Sequence, residues 1–300
     1  MLYMEADMIL VVGATGLLGS EICRRLSGGH PVRGLVRATS SPEKVEALRS
    51  AGIETALADL KDPDSISRVC EGASAVIATA SSTISHQEGD SIESVDRLGY
   101  LNLVDKAARA GVERFIYVSI PAAQPVDYPL AAAKREVEQR LAGSGMAYTI
   151  LHASYFMEVW LSPMLGFDYI HGRATIYGRG ERPVAWVSYR DVAGFAVDAL
   201  ETGAARNRAL DVGGPENLSP HDVVRAFESA SGRSFEVTHV PQDALERQFA
   251  AAADPLGKTF AALMLGYACG CPMDMGDTLR MLPRKLMTVG EYAATAGRTS

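Results

Sequence analysis

The sequence predicts an α/β chain: a doubly wound parallel sheet with a smaller α+β C-terminal lobe interleaved with it. Three observations carry this. Short apolar runs alternate with amphipathic helical patterns over about 150 residues, the signature of parallel strands joined by right-handed crossovers. A glycine-punctuated turn, VVGATGLLGS, joins the first apolar run to the first helical one. After His152 the alternation gives way to an aromatic-rich, irregular stretch, SYFMEVWLSPMLGFDYIHGRATIYG. The expected division is 1–152 for the alternating half and 153–300 for the lobe, with a return to the main sheet at roughly 184–214.

The elements follow in order. MILVV, residues 8–12, ends at glycines and reads as a buried parallel strand. GLLGSEICRRLSGG carries Leu18, Ile22 and Leu26 on one helical stripe and stops at glycine. VRGLVR is the second strand. In SPEKVEALRSAG, Ser41 caps a helix and Pro42 fits its first turn. GIETALADL holds the third strand, and DPDSISRVCEG a helix capped by Asp62. SAVIATAS is the fourth strand, VDRLGYLNLVDKAARAG a long helix ending at Gly111, and RFIYVSI the fifth strand. AAAKREVEQRLAGSG is a helix and AYTILHA the sixth strand. In the second half, VAWVSYRDVAGFAVDALE is helical with Asp191 as its expected cap. ALDVGG is a strand, SPHDVVRAFESASG a capped helix and SFEVTHV an edge strand. DALERQFAAA and PLGKTFAALMLGYACG are helices with one apolar face.

Bulk properties narrow the function. A formal charge of −7 argues against a general nucleic-acid binder, which needs a basic surface. The N-terminal stretch lacks the basic start of a secretory signal, and no run of about 18 apolar residues suggests a membrane span. Cys23 and Cys70 sit in helical patterns as small core residues, while Cys269 and Cys271 lack further ligands for a structural zinc. A cytoplasmic protein without a metal, acting on a small molecule as a monomer or homodimer, is the expectation.

The glycine turn is the first chemical signal. Gly13, Gly16 and Gly19 fall at G-x-x-G-x-x-G spacing between a strand and a helix, the context of a Rossmann dinucleotide site. Gly13 permits the tight turn, Gly16 lets a pyrophosphate approach the backbone, and Gly19 lets helix and strand pack closely. The helix N-terminus offers free N–H groups to the phosphates. The second strand ends in LVRATSS, with Arg37 where an NAD site would carry an acid. A guanidinium pairs with a 2′-phosphate, and Thr39, Ser40 and Ser41 add donors, so NADP(H) is expected over NAD(H). Asp59 ends the third strand, facing the adenine amino group or serving the turn. Thr79, Ala80 and Ser81 end the fourth strand, where small residues let a cofactor pass.

GATGLLGSEI, VRATSS, NLVDKAARAGVERFIYVS and YTILHASYFME, with DVAGFAVDALE and ALDVGGPENLSPHDVVRAFESASGR further on, resemble the NmrA-like group of atypical short-chain dehydrogenases. The resemblance spans nearly the whole chain. It implies a Rossmann domain with a substrate lobe, and membership of a group that holds both NADPH-dependent reductases and dinucleotide-binding regulators. It further implies Gly13, Thr15, Gly16, Leu17, Leu18 and Gly19 at the pyrophosphate, Arg37 at the 2′-phosphate, and Asp59 with Leu60 at the adenine. Thr79 to Ser81 would lie along the ribose and nicotinamide, Lys134 near the nicotinamide ribose, and Ser154 to Glu158, including Tyr155 and Phe156, beside the nicotinamide. The chain departs from the group's pattern at LHA, where His152 either alters the pocket or is a packing substitution.

The stretch DYPLAAAKREVE decides the catalytic expectation. Short-chain dehydrogenases use Y-x-x-x-K, whose heads share a helix face because residues four apart lie about 40° from each other. Tyr128 and Lys134 are six apart, about 120°, and Leu130 stands where the tyrosine would be. Pro129 starts the helix, leaving Tyr128 in the loop before it. Leu130, Lys134, Val137 and Leu141 form the inward stripe, while Arg135, Glu136 and Glu138 fall off it toward solvent. An inward lysine either meets a cofactor or snorkels at the core edge. Ser119, ending the fifth strand, either touches substrate or bonds the backbone. Tyr155, Phe156, Met157, Trp160 and Trp186 either wall an apolar pocket or form the core of the lobe. His86, His171 and His221 read as structural or surface residues. The expected activity is an NADPH-dependent reductase of a quinone, enone or carbonyl, with Lys134 and then Tyr128 as proton donors; the alternative is a non-catalytic NADP(H) sensor.

Overall fold

The computed structural model describes residues 7–84 and 87–296; His86 lies outside them. Its first elements are β1 (Met8–Val12), α1 (Leu17–Leu26), β2 (Val32–Val36), α2 (Pro42–Ser50), β3 (Glu54–Leu57), α3 (Pro63–Cys70) and β4 (Ala73–Ala78). A π-helical segment, Ile92–Gly99, runs directly into α4 (Tyr100–Arg109), followed by β5 (Arg114–Ser119), α5 (Pro129–Ala142) and β6 (Ala147–Ala153). Then come α6 (Met157–Trp160), β7 (Phe167–Asp168), β8 (Arg173–Tyr177), β9 (Val184–Ala185), α7 (Tyr189–Glu201), β10 (Arg208–Val212), β11 (Asn217–Leu218) and α8 (Pro220–Ser231). β12 (Glu236–Val240), α9 (Gln242–Ala251), α10 (Pro255–Cys269), α11 (Gly276–Met281) and α12 (Val289–Ala296) complete the chain.

The chain clusters into two compact units. One holds the described residues of Met1–Ser119 with Leu130–Leu151 and Val192–Leu210; the other holds those of Ile120–Pro129, His152–Asp191 and Asp211–Ser300. The main sheet is seven-stranded, in the order β10-β6-β5-β4-β1-β2-β3. Its six sequential strands have the Rossmann arrangement, which reverses direction beside β1 and so leaves the carboxyl ends of β1 and β4 as the place where ligands bind in such sheets. β1 pairs in parallel with β2 and β4, β2 with β3, and β4 with β5. Helices cover both faces of such a sheet, so its central strands carry apolar residues without alternation; β5 is buried from end to end. Leu10, Val76, Tyr100, Phe115, Tyr117 and Val137 belong to one core cluster, where truncating a large side chain to alanine costs about 2–5 kcal/mol.

Three boundaries differ from the sequence expectation, the first in VAWVSYRDVAGFAVDALE, whose Val184 and Ala185 form the strand β9 and not helix. The helix expected from Val95 begins at Ile92, and its first half is π-helical. Ser91 and Ser94 bond reciprocally across its start, Ser91 Oγ accepting from Ser94 N and Ser94 Oγ from Ser91 N, each at 3.0 Å. Asp191 is not a cap, because α7 begins two residues earlier at Tyr189. Glu158 supplies that start instead: its carboxylate accepts from Tyr189 N at 3.1 Å and from Ser188 Oγ at 2.5 Å. Asp191 accepts from Met287 N.

In the second unit β8 lies between β12, parallel to it, and β7, antiparallel to it. β9 and β11 form a separate antiparallel pair. Its core is aromatic: the Tyr155 ring meets Trp160 edge-on at 4.6 Å, and Trp160 stacks on Tyr267 at 5.6 Å. Among the described residues no helix is long and apolar enough to cross a membrane.

Candidate active site

The glycine turn is fixed by close approach. Gly13 has φ +92°, and a Cβ there would lie 2.7 Å from Thr79 Oγ1 and 2.9 Å from Ala80 N. A Cβ at Gly19 would lie 2.1 Å from Gly13 O, so α1 could not pack so close to the turn. Gly16 differs. A Cβ there meets only Gly13 O, at 3.2 Å, and Gly16 is exposed with Leu17 beside it. Its missing side chain therefore leaves room on the open side of the turn. Ser20 N donates to Gly16 O at 3.0 Å, so the N–H groups of Leu17, Leu18 and Gly19 come before the first intrahelical bond of α1. This cradle suits a pyrophosphate. The Leu18 side chain is buried, so only its backbone is open to a ligand, and Thr15 is half-buried at the tip.

Beyond β2 and β3 the structure gathers charges that the sequence left apart. Arg37 Nη1 pairs with Asp90 Oδ2 at 2.6 Å. Lys61 Nζ bonds Asp90 Oδ1 and lies 3.4 Å from Asp59 Oδ2. Arg37 and Lys61 are 28% and 26% exposed, whereas Asp90 is 2% exposed, so the two cations enclose the carboxylate. Burial works against the Lys61 ammonium, but its bond to Asp90 and the Asp59 and Asp90 charges outweigh that and hold its pKa above the usual lysine value. Ser40 closes the turn after β2, its Oγ accepting from Arg37 N at 2.9 Å. Asp59 Oδ1 accepts from Lys61 N at 2.9 Å, which is the turn role. Leu60 is a core residue packed beside Gly99.

The chain leaving β4 is pinned along its length. Thr79 N and Oγ1 both donate to Val12 O, at 2.9 and 3.1 Å. Ala80 O accepts from Tyr100 OH at 2.7 Å. Ser81 Oγ bonds Thr83 Oγ1, and Ser82 donates through both N and Oγ to Asp96 Oδ2.

Lys134 stands on the inward stripe as its spacing predicts: Leu130, Lys134, Val137 and Leu141 are all buried. The lysine is 5% exposed. Its Nζ donates to Tyr117 OH and Val118 O, each at a long 3.4 Å, and lies 5.0 Å from the Tyr117 ring centroid. Burial pulls the Lys134 ammonium below the usual lysine range; Asp96 and Glu138 oppose that, and Arg135 adds to it. Glu138 is not a solvent-facing charge as expected. It accepts from Ser119 Oγ at 2.5 Å and pairs with Arg135. The Ser119 proton is thereby committed to a carboxylate rather than to backbone.

The remaining expected residues belong to the second unit. Tyr128 is buried in the loop before α5 and donates to Gln124 Oε1 at 3.1 Å. Tyr155 lies in the aromatic core with Met157 and Trp186, its hydroxyl donating to Leu263 O at 3.3 Å. Phe156 bridges to Val187 beside it. His152 is buried 3.7 Å from Asp211. Sequence reasoning missed Lys61, Asp90, Tyr117 and Asp96. For Asp96 a signal existed: Asp96, Tyr100, Leu103 and Ala107 repeat the 4-3-4 spacing that singled out Lys134, and all are buried.

A model of the NmrA-like family matches residues 5–293. The chain belongs to that family. Among its relatives, photosystem II assembly factor Ycf39 of Synechocystis sp. is 31% identical over 244 residues, 79% of this chain and 72% of that protein. The NAD(P)H azoreductase of Xenophilus azovorans is 29% identical over 294 residues, 95% of this chain and 96% of that one. The Escherichia coli NADPH-dependent quinone oxidoreductase QOR2, in its complex with NADPH, matches with a TM-score of 0.77 at 22% identity, over 96% of this chain and 99% of that one. At that identity the likeness establishes the shared fold.

Proposed function

We propose that the protein is an NADPH-dependent reductase of small apolar or aromatic acceptors such as quinones, enones or carbonyls. The observation that carries this reading is Lys134, a lysine buried beside the carboxyl end of β5 whose hydrogen bonds to the described residues are long. Such a cation is costly unless polar groups meet it, and the hydroxyls of a nicotinamide ribose are suited to do so. The azoreductase and quinone oxidoreductase relatives support the reading. The backbone of Gly16 to Gly19 would hold the pyrophosphate, and Arg37 with Lys61 the 2′-phosphate, in exchange for Asp90. When bound, the reduced nicotinamide supplies the hydride. The chain's own work is to orient it, exclude water and deliver a proton to the acceptor, with Lys134 the first candidate donor and Tyr128 the second. A quinone that gains hydride and takes its proton from water needs neither.

The test is loss of reduced-nicotinamide absorbance with a panel of quinones, enones, aldehydes and azo dyes. Turnover with at least one is expected. Tight NADP(H) binding with no turnover on any acceptor overturns the reductase reading. It would favour instead a dinucleotide sensor, an alternative to which Leu130 in the tyrosine position and the similarity to an assembly factor lend weight.

A further inference from the structure

The most anomalous group in the first unit is the carboxylate of Asp96. It is fully buried in the π-helical segment, and its two oxygens are treated differently. Oδ2 accepts from Ser82 N at 3.0 Å and from Ser82 Oγ. Oδ1 has no hydrogen-bond partner among the described residues, although it is buried as deeply. An ionised buried oxygen left so is expensive unless a positive charge lies nearby.

The surrounding geometry supplies that charge. Tyr100, one turn after Asp96, donates to Ala80 O and packs its ring 5.1 Å from Tyr117. The Lys134 ammonium lies over the other ring of that pair, bonded to Tyr117 OH. The π-helix, the chain leaving β4 and the end of β5 are thus linked, through the Tyr100 and Tyr117 rings, to one buried cation. Besides the Val118 carbonyl, four groups act on Lys134: Asp96 from the π-helix, Tyr117 from β5, and Glu138 and Arg135 from its own helix. Glu138 is bonded to Ser119 Oγ and paired with Arg135, which divides its charge. Asp96 has a whole oxygen uncommitted.

We infer that Asp96 is the buried counter-charge of Lys134, a positioning residue that keeps the lysine an ammonium while Ser82 holds the carboxylate in place. Ser82 lies just past Thr79 to Ser81, so the same carboxylate also ties that segment to the lysine's surroundings. The weight of the pair in catalysis rests on the reductase reading, through Lys134. The charge of Lys134 is measurable without turnover, so failure of one idea is distinguishable from failure of the other.

The experiment is a pH titration of the full chain labelled with [ε-¹³C]lysine, followed by NMR. With six lysines in the sequence, each signal is assignable by single substitution. In the wild type, the Lys134 signal should titrate below the usual lysine midpoint. D96N keeps the shape of the side chain and removes its charge, and should lower the Lys134 midpoint by about one pH unit or more. S82A leaves the charge and should move the midpoint by no more than a few tenths. An unchanged midpoint in D96N overturns the assignment; so does an equal fall in S82A, which would trace the effect to rearrangement. Should D96N not fold, D96S takes its place: it also removes the charge and should lower the Lys134 midpoint likewise, and an unmoved midpoint overturns the pairing.

Discussion

Two buried or half-buried cation sites serve the first unit, and they are built in opposite ways. Beyond β2 and β3, Arg37 and Lys61 already grip a carboxylate, with Arg37 only 2.6 Å from Asp90. At the end of β5, Lys134 has two bonds of 3.4 Å and an anion that does not touch it. On the proposed reading, a ligand phosphate at the first site would replace one anion with another, so its affinity would be a difference between two favourable pairings. A ligand hydroxyl at the second site gains a partner without displacing one. The first arrangement suits discrimination between dinucleotides; the second suits holding a reacting group.

The largest effect should come from the buried site. K134M should lower kcat/KM for NADPH-dependent turnover about 100-fold, roughly 2.7 kcal/mol, mostly in kcat. A loss confined to KM would make Lys134 a binding residue only and erase the contrast. The next largest should come from R37A, which should weaken NADP⁺ binding about 10- to 100-fold and NAD⁺ no more than about threefold, as calorimetric titration would read. Equal losses for both would mean that Arg37 does not meet the 2′-phosphate.

These expectations began in the sequence, and the reasons they did so are specific. The strand and helix alternation was legible because central parallel strands are apolar throughout and their helices keep one stripe. Lys134 was legible because one lysine broke such a stripe. Asp96 broke a stripe in the same way, but an acid near a helix start also fits the helix dipole, and the π-helical winding leaves no mark in the residue pattern. Tyr117 reads as one more large residue in a buried strand. Asp90 and Lys61 sit in connecting segments, where no periodicity ties a side chain to a direction; their meeting depends on the strand order. Tyr155 read equally well as pocket or core, and only its contacts with Trp160, Trp186 and Tyr267 distinguish the two.

Smaller effects sharpen the comparison. D90A removes the carboxylate that Arg37 and Lys61 share and leaves Lys61 only its pairing with Asp59, so the cofactor-free protein should melt at a lower temperature. NADP⁺ should then bind about 3- to 10-fold tighter and restore the loss, because the phosphate no longer competes with a carboxylate. A mutant with unchanged NADP⁺ affinity would mean that Asp90 never occupies the phosphate's place. The smallest effect is on pH dependence. The folded-state pKa of Lys134 lies below its unfolded value, so between the two the unfolded chain holds more protons and stability rises with pH. Urea unfolding should show this rise below the usual lysine pKa in the wild type, at no more than about 1.4 kcal/mol per pH unit, and K134M should lack it.

The separation of roles between the two cation sites is tested most directly by measuring NADP⁺ affinity and steady-state NADPH oxidation together for the wild type, R37A and K134M. The expected result is a crossed pattern: R37A loses affinity and keeps kcat within about threefold, while K134M keeps affinity within about threefold and loses kcat. Parallel losses in both quantities for both variants would contradict it.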